Sequence, residues 1–143
     1  MSTTQRNDER VIAVDPYLGE ILRLQTLVVL EANHEYFEDI ATLGAPAQRA
    51  LVSIYRDAIA VLDALGWAPD PGSGTVDVPL TAGHVEQLRR RRYDLARTNL
   101  DRLDTRDGLA VTDAVADLDR KLIADRAAAQ GLDALIAAYL QGP

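Results

Sequence analysis

The feature that most constrains this chain is a long helical segment near its N-terminus, bounded by Asp15-Pro16 and Gly44. Aspartate before proline is a strong helix start, because the carboxylate caps free N–H groups and proline fits the first helical position. The pattern predicts helix 1 over residues 16–43. Its first half is apolar on nearly every side, so it must be enclosed by other helices or by a second subunit.

Three more long helices are predicted from apolar residues that recur with a period of 3.6. Helix 2 is expected over residues 46–65, helix 3 from 81 to 103 or 104, and helix 4 over 112–130. The hydroxyl of Thr81 can cap helix 3. Gly131 is expected to interrupt the chain, so that residues 132–140 form a short last helix. The prediction is an all-α fold, an antiparallel bundle of four main helices plus a short C-terminal helix.

The remaining segments define the predicted domain organisation. Residues 1–14 are interpreted as a polar N-terminal tail, and residues 15–143 as a single helical-bundle domain. Residues 66–80 form the one long irregular segment, because three prolines and three glycines exclude a continuous helix there. Val76, Asp77 and Val78 have the character of a short strand, but the sequence suggests no partner strand.

Composition excludes several classes of protein. The chain has no cysteine and only two histidines, so disulfide scaffolds, cysteine-ligated zinc and thiol nucleophiles are ruled out. A net charge of −7 argues against a nucleic-acid binder. No signal peptide or membrane span is recognisable, which predicts a cytoplasmic protein. Fourteen of the fifteen basic residues are arginine, a bias typical of GC-rich codons that predicts an actinobacterial source.

Charge is unevenly distributed along the chain. Residues 8–43 carry eight acids and two arginines, whereas residues 81–106 carry seven arginines and four acids. Helices of opposite charge are natural neighbours. They are therefore expected either to pack side by side within the chain or to meet across a dimer axis.

A run of four arginines, residues 89–92, is the most conspicuous local feature of helix 3. Consecutive helical residues point about 100° apart, so the run is not one patch. The helical pattern places Arg92 and Asn99 within the apolar stripe, with Arg89 on its flank and Tyr93 as a neighbour. A charge facing a core needs a partner. Arg92 is expected either to pair with a carboxylate of helix 1 or to extend toward the end of the bundle, or else to bind a ligand carboxylate or phosphate.

Helix 1 also contains a Glu-x-x-His pair, Glu31 and His34, with Glu35 and Glu38 nearby. Carboxylate-bridged di-iron bundles use this spacing to direct two ligands at one metal. Such a site needs a second pair, which only a symmetric dimer can supply here. The alternative interpretation is a solvated acidic face.

The leading functional hypothesis is a small helical interaction or regulatory protein without evident catalytic machinery. The first alternative is a small-molecule binding protein, or a small helical lyase or mutase, with an arginine-lined site inside the bundle. The second is an interfacial metal-binding bundle. The sequence leaves open whether the chain is an enzyme and favours a non-enzymatic role without a cofactor. The predicted partners are a second copy bound through helix 1 and a further protein; neither nucleic acid nor a membrane is expected.

Overall fold

The computed structural model describes residues 8–67, 74–107 and 112–141, and between 102 and 115 it describes helical backbone only. Within these ranges the chain is mostly helical, which confirms the predicted predominance of helices. The elements are β1 (Arg10–Val14), α1 (Pro16–Glu38), α2 (Ala45–Leu65), β2 (Val76–Leu80), α3 (Ala82–Asp107) and α4 (Thr112–Gln141). No helix in the described ranges has both the length and the apolar character needed to cross a bilayer.

Helix α1 begins as predicted and ends earlier than predicted. The Asp15 carboxylate accepts a hydrogen bond from the backbone N–H of Leu18 at 2.8 Å, and Pro16 occupies the first turn. The helix ends at Glu38, and a 3-10 turn, Ile40–Thr42, replaces its predicted last residues. Gln48 stabilises this turn, because its side-chain amide donates to the carbonyl groups of Ile40 and Leu43.

Helices α1 and α2 run antiparallel and form a hairpin. At the open end of the hairpin, which we call its base, a Cβ atom added to Gly19 would lie 3.5 Å from the Leu65 side chain. Farther along, the Tyr55 hydroxyl donates to the Leu30 carbonyl at 3.2 Å. The rings of Phe37 and Tyr55 stack with their centroids 4.4 Å apart. These contacts hold the two helices together beyond the main core.

The prediction that the short strand after residue 75 lacks a partner is wrong. β2 pairs with β1 in an antiparallel ribbon, in which Ile12 faces Val78 and Val14 faces Val76. Alternate residues of each strand point to one side of the ribbon, and Ile12, Val14, Val78 and Leu80 are buried there. Arg10–Val14 therefore contributes to the core, although the sequence placed it in a polar tail over residues 1–14.

Helix α4 corrects the prediction of a short C-terminal helix. It is continuous from Thr112 to Gln141 and passes through Gly131 without a break. A Cβ atom added to Gly131 would lie 2.5 Å from Cδ1 of Ile21. Glycine at this position therefore allows α4 to approach α1 closely and does not end the helix.

One hydrophobic core joins both strands and all four helices. It lies at the base of the α1–α2 hairpin, where the first half of α1 and the second half of α2 meet the ribbon. Its buried members are Ile12, Val14, Leu22, Val61, Val78, Leu80, Val85, Leu88, Leu95, Ala129, Leu132, Leu135 and Tyr139. The enclosure that the sequence requires for the first half of helix 1 is thus largely supplied within the chain. The opposite end of the hairpin, over residues 31–50, is largely exposed.

Candidate functional site

The predicted ligand residue Arg92 forms an ion pair on the side of α3 that faces α4. Its Nε–H donates to Oδ1 of Asp133 at 3.0 Å, and both side chains are partly exposed. The carboxylate that satisfies Arg92 thus comes from α4, whereas the sequence suggested helix 1. The Nε–H of Arg92 already donates to a protein carboxylate, so no ligand is needed to explain the position of this arginine.

The other predicted ligand residues do not converge on Arg92. Arg89 and Tyr93 lie on the outer, solvent-facing side of α3, where Tyr93 is 68% exposed. Asn99 is half-buried, and its Oδ1 atom is buried without a hydrogen-bond partner in the described structure. A role for these residues in binding an anion stays a prediction.

The four predicted metal ligands, Glu31, His34, Glu35 and Glu38, all lie exposed near the C-terminal end of α1. Nε2 of His34 is 2.9 Å from Oε1 of Glu38, a surface pair one helical turn apart. Among the described residues, no group of three or more His, Asp or Glu side chains is arranged to hold a metal ion. The arrangement fits the alternative interpretation of a solvated acidic face.

A buried polar cluster at the start of α3 was not identified as a site from the sequence. A 3.1 Å hydrogen bond joins Oγ1 of Thr26 on α1 to Nε2 of His84 on α3. Next to it, the Thr81 hydroxyl donates to Oδ2 of Asp57 on α2 at 2.9 Å. Thr81 also accepts the backbone N–H of His84, which confirms its predicted role as the cap of α3. These contacts connect α1, α2 and α3 inside the core.

The electrostatic state of this cluster follows from its burial. Burial lowers the pKa of His84 to about 4, so the ring is neutral at pH 7. Its Nδ1 atom has no hydrogen-bond partner in the described structure. The ring is only 1% exposed, which closes it to a ligand from solvent. The cluster is therefore suited to fixing the helices relative to each other, and not to catalysis.

A groove lined by apolar atoms lies at the exposed end of the α1–α2 hairpin. It is shallow and has a volume of about 250 Å³. We call it the tip groove; its residues are Tyr36, Leu43, Ala47, Ala50, Leu51 and Ile54. The groove residues of α2 lie on the same helical face as Ala58, Val61 and Leu62, which are buried in the core. At the tip this face is only partly covered, because Ala47 and Ala50 are exposed, whereas Leu51 is 5% exposed and Ile54 is half-buried.

Two further grooves are lined largely by polar side chains. On the outer side of α3, Arg89, Arg90 and Tyr93 line a groove of about 390 Å³ together with Glu86 and Asp94. A second groove lies on α2, where it is lined by Ile40, Gln48, Arg49, Val52, Ser53 and Arg56. Neither groove shares a lining residue with the tip groove.

No protein-family model matches this chain, and comparisons with curated proteins and with solved structures gave no significant match.

The sequence contained a partial signal for the tip groove. Phe37, Ile40 and Leu43 recur every third residue in the second half of predicted helix 1, which is the spacing of an apolar stripe, and Leu43 lines the groove. A stripe of this kind is usually buried within its own chain, whereas in the structure Phe37 is exposed and Ile40 and Leu43 are half-buried. The buried pair of Thr26 and His84 gave no comparable signal, because 58 residues separate them.

Proposed function

We propose that this chain is a non-enzymatic interaction protein that works as a homodimer through the exposed end of α1 and the adjoining part of α2. The observation that carries the proposal is the tip groove, a partly exposed surface lined by apolar atoms that continues the core-facing stripe of α2. Contiguous apolar surface on an exposed groove is typical of protein-binding sites. In this proposal the four helices form an antiparallel bundle, and the α1–α2 end of the bundle is the binding end.

Aromatic side chains support this assignment. Tyr36 is 60% exposed on the edge of the groove, and Phe37 is partly exposed beside it. Tyrosine and phenylalanine are enriched in the centres of protein interfaces, since they bury a large area with few rotatable bonds. The buried polar cluster around His84 offers no access to a substrate, which favours binding over catalysis.

The proposal is tested with two tyrosines of equal exposure on α1. Tyr36 borders the tip groove, whereas Tyr17 is 62% exposed at the other end of the same helix. Sedimentation velocity should give the wild-type chain a mass of twice 15.6 kDa. Tyr36→Glu should weaken the dimer about tenfold or more, because it introduces a charge into a central apolar contact. Tyr17→Glu should leave the mass unchanged.

Two results would contradict the proposal. One is a wild-type chain that sediments as a monomer over the whole accessible concentration range. The other is a dimer that both tyrosine substitutions leave equally intact. Circular dichroism of each variant checks that the helical content is retained.

A further inference from the structure

We infer that the tip groove binds the outer face of α3 from a second copy of this chain, and that the two copies exchange this contact reciprocally. The inference rests on the proposed function, because it specifies which surfaces meet in the dimer. It follows from the charge and apolar patterns that the fold leaves exposed on α1 and on α3.

The first surface combines the tip groove with an acidic edge. Glu31, Glu35 and Asp39 recur every fourth residue, so they form one row along the side of α1. All three side chains are exposed. Tyr36, at the edge of the groove, lies one residue from Glu35 and three from Asp39. The groove is therefore bordered by negative charge on its α1 side.

The second surface has the opposite charge around similar apolar groups. Tyr93 and Leu100 lie two turns apart on the outer side of α3 and are 68% and 65% exposed. Arg89 and Arg97 lie four residues before and after Tyr93, on the same side of the helix, and both are exposed. We call these four residues the arginine face. Residues 86–101 carry five arginines against three acids, so the surrounding helix is net positive.

No contact joins the two surfaces within one chain among the side chains that the structure describes. The only hydrogen bond between α1 and an α3 arginine among the described side chains runs from Nε of Arg91 to the amide oxygen of Gln25, at 3.1 Å. The acidic row pairs with no α3 arginine in that part of the structure. Within the chain, Arg92 pairs with Asp133 of α4, and Arg90 and Arg91 pair with acids of α3 itself. Among the described side chains, none of these ion pairs involves the acidic row or the arginine face, so a contact between two copies is the complementary arrangement for both.

Two copies form a closed dimer if each contributes both surfaces to the contact. In a two-fold dimer the acidic row of each copy meets the arginine face of the other, so both pairs of surfaces are covered at once. An apolar centre formed by Tyr36, Tyr93 and Leu100 is then surrounded by opposite charges, which is the usual organisation of an interface.

A charge-swap experiment tests the inference on the full chain. Variant A carries Glu35→Arg and Asp39→Arg, and variant B carries Arg89→Glu and Arg97→Glu. Each variant alone should dimerise about tenfold or more weakly than wild type, because like charges then face each other. An equimolar mixture of A and B should recover the wild-type affinity as a heterodimer, since both contacts again pair opposite charges. A double reversal of Arg49 and Arg56, which line a different groove of α2, is the matched control and should dimerise normally.

Each outcome of this experiment separates the inference from the proposed function. A wild-type chain that is monomeric overturns both. A wild-type dimer that A and B leave unchanged, or that their mixture fails to restore, overturns the inference and retains the proposed dimer. Species larger than a dimer contradict the reciprocal arrangement, because a contact that does not close builds open chains. If A or B loses helical content, the inference is tested instead by measuring wild-type dimerisation at increasing NaCl concentrations. The inferred contact must weaken as the salt concentration increases.

Discussion

At the scale of single residues, His84 imposes a pH dependence on the stability of the core. The ring is fully buried against Thr26, and burial lowers its pKa to about 4. In the unfolded chain a histidine has a pKa near 6.5. The unfolded state therefore binds more protons than the native state between these two values. Stability contributed by the neutral ring is complete above about pH 6.5 and is lost as the pH falls toward 4.

We expect this loss to reach roughly 3 kcal/mol of unfolding free energy by pH 4. Urea unfolding at pH 7.5 and pH 4.5 measures it, with His84→Gln as the test and His34→Gln as the control. His34 is exposed on α1, so its replacement controls for the loss of an imidazole outside the core. His84→Gln should reduce the difference between the two pH values by about 2–3 kcal/mol. An unchanged difference would mean that the native core accepts the charged ring.

Residue patterns predicted part of the candidate site and missed the rest for identifiable reasons. Helical spacing placed Arg92 within the apolar stripe, whereas in the structure its side chain is partly exposed and pairs with Asp133. The predicted pairing of Arg92 with a carboxylate of helix 1 was wrong, because spacing within one helix does not indicate which other element supplies the carboxylate. The burial of His84 against Thr26 depends on how α1 crosses α3, and spacing within one helix does not indicate this crossing.

At the scale of elements, local signals located helix starts better than helix ends. Asp15-Pro16 and Thr81 act as predicted, because capping is decided by residues within one turn of the helix start. The pairing of β2 with β1 was missed because the two strands are separated by more than 60 residues, and strand pairing depends on such distant partners. Gly131 was predicted to interrupt the helix because the low helix propensity of glycine can be read from the sequence. Its close approach to Ile21 depends on the tertiary structure and cannot be read in this way.

Gly131→Ala tests whether the close approach of α4 to α1 is required. Alanine favours a helix over glycine by about 1 kcal/mol, whereas overpacking costs about 1–3 kcal/mol. The added Cβ atom would lie 2.5 Å from Cδ1 and 3.0 Å from Cγ2 of Ile21, so we expect a net loss of unfolding free energy of about 1–2 kcal/mol. Chemical denaturation measures it. In an Ile21→Val background, which lacks Cδ1, the same substitution should cost less; a stabilised Gly131→Ala protein would contradict the packing.

At the scale of the whole molecule, the ribbon β1–β2 links the N-terminal region to the last helix. The guanidinium of Arg10 donates to the Tyr139 carbonyl and lies 5.0 Å from the centroid of the tyrosine ring. The Tyr139 hydroxyl donates in turn to the carbonyl of Asp8. Helix propensity alone describes none of these contacts, yet they place β1 against α4 and complete the core around α1.

Two isosteric substitutions in β1 test whether this strand is part of the folded core. Val14 is 1% exposed and Val11 is 52% exposed. Val14→Thr should lower the free energy of unfolding by about 1–3 kcal/mol, because it buries a hydroxyl group in an apolar environment. Val11→Thr keeps the β-branched shape at an exposed position and should change it by about 0.5 kcal/mol or less. Equal, small effects in urea denaturation would show that residues 10–14 behave as a tail.

The position of the core at one end of the α1–α2 hairpin divides the hairpin into regions of unequal local stability. The free energy needed to open a helix locally rises with the apolar contacts that opening removes. Val61 and Leu62 are fully buried at the base of the hairpin, whereas most residues between 31 and 50 are exposed. Amide protons near the turn should therefore exchange with solvent through local opening, and those at the base only through global unfolding. The region proposed for self-association is thus the least protected part of the hairpin until a second copy covers it.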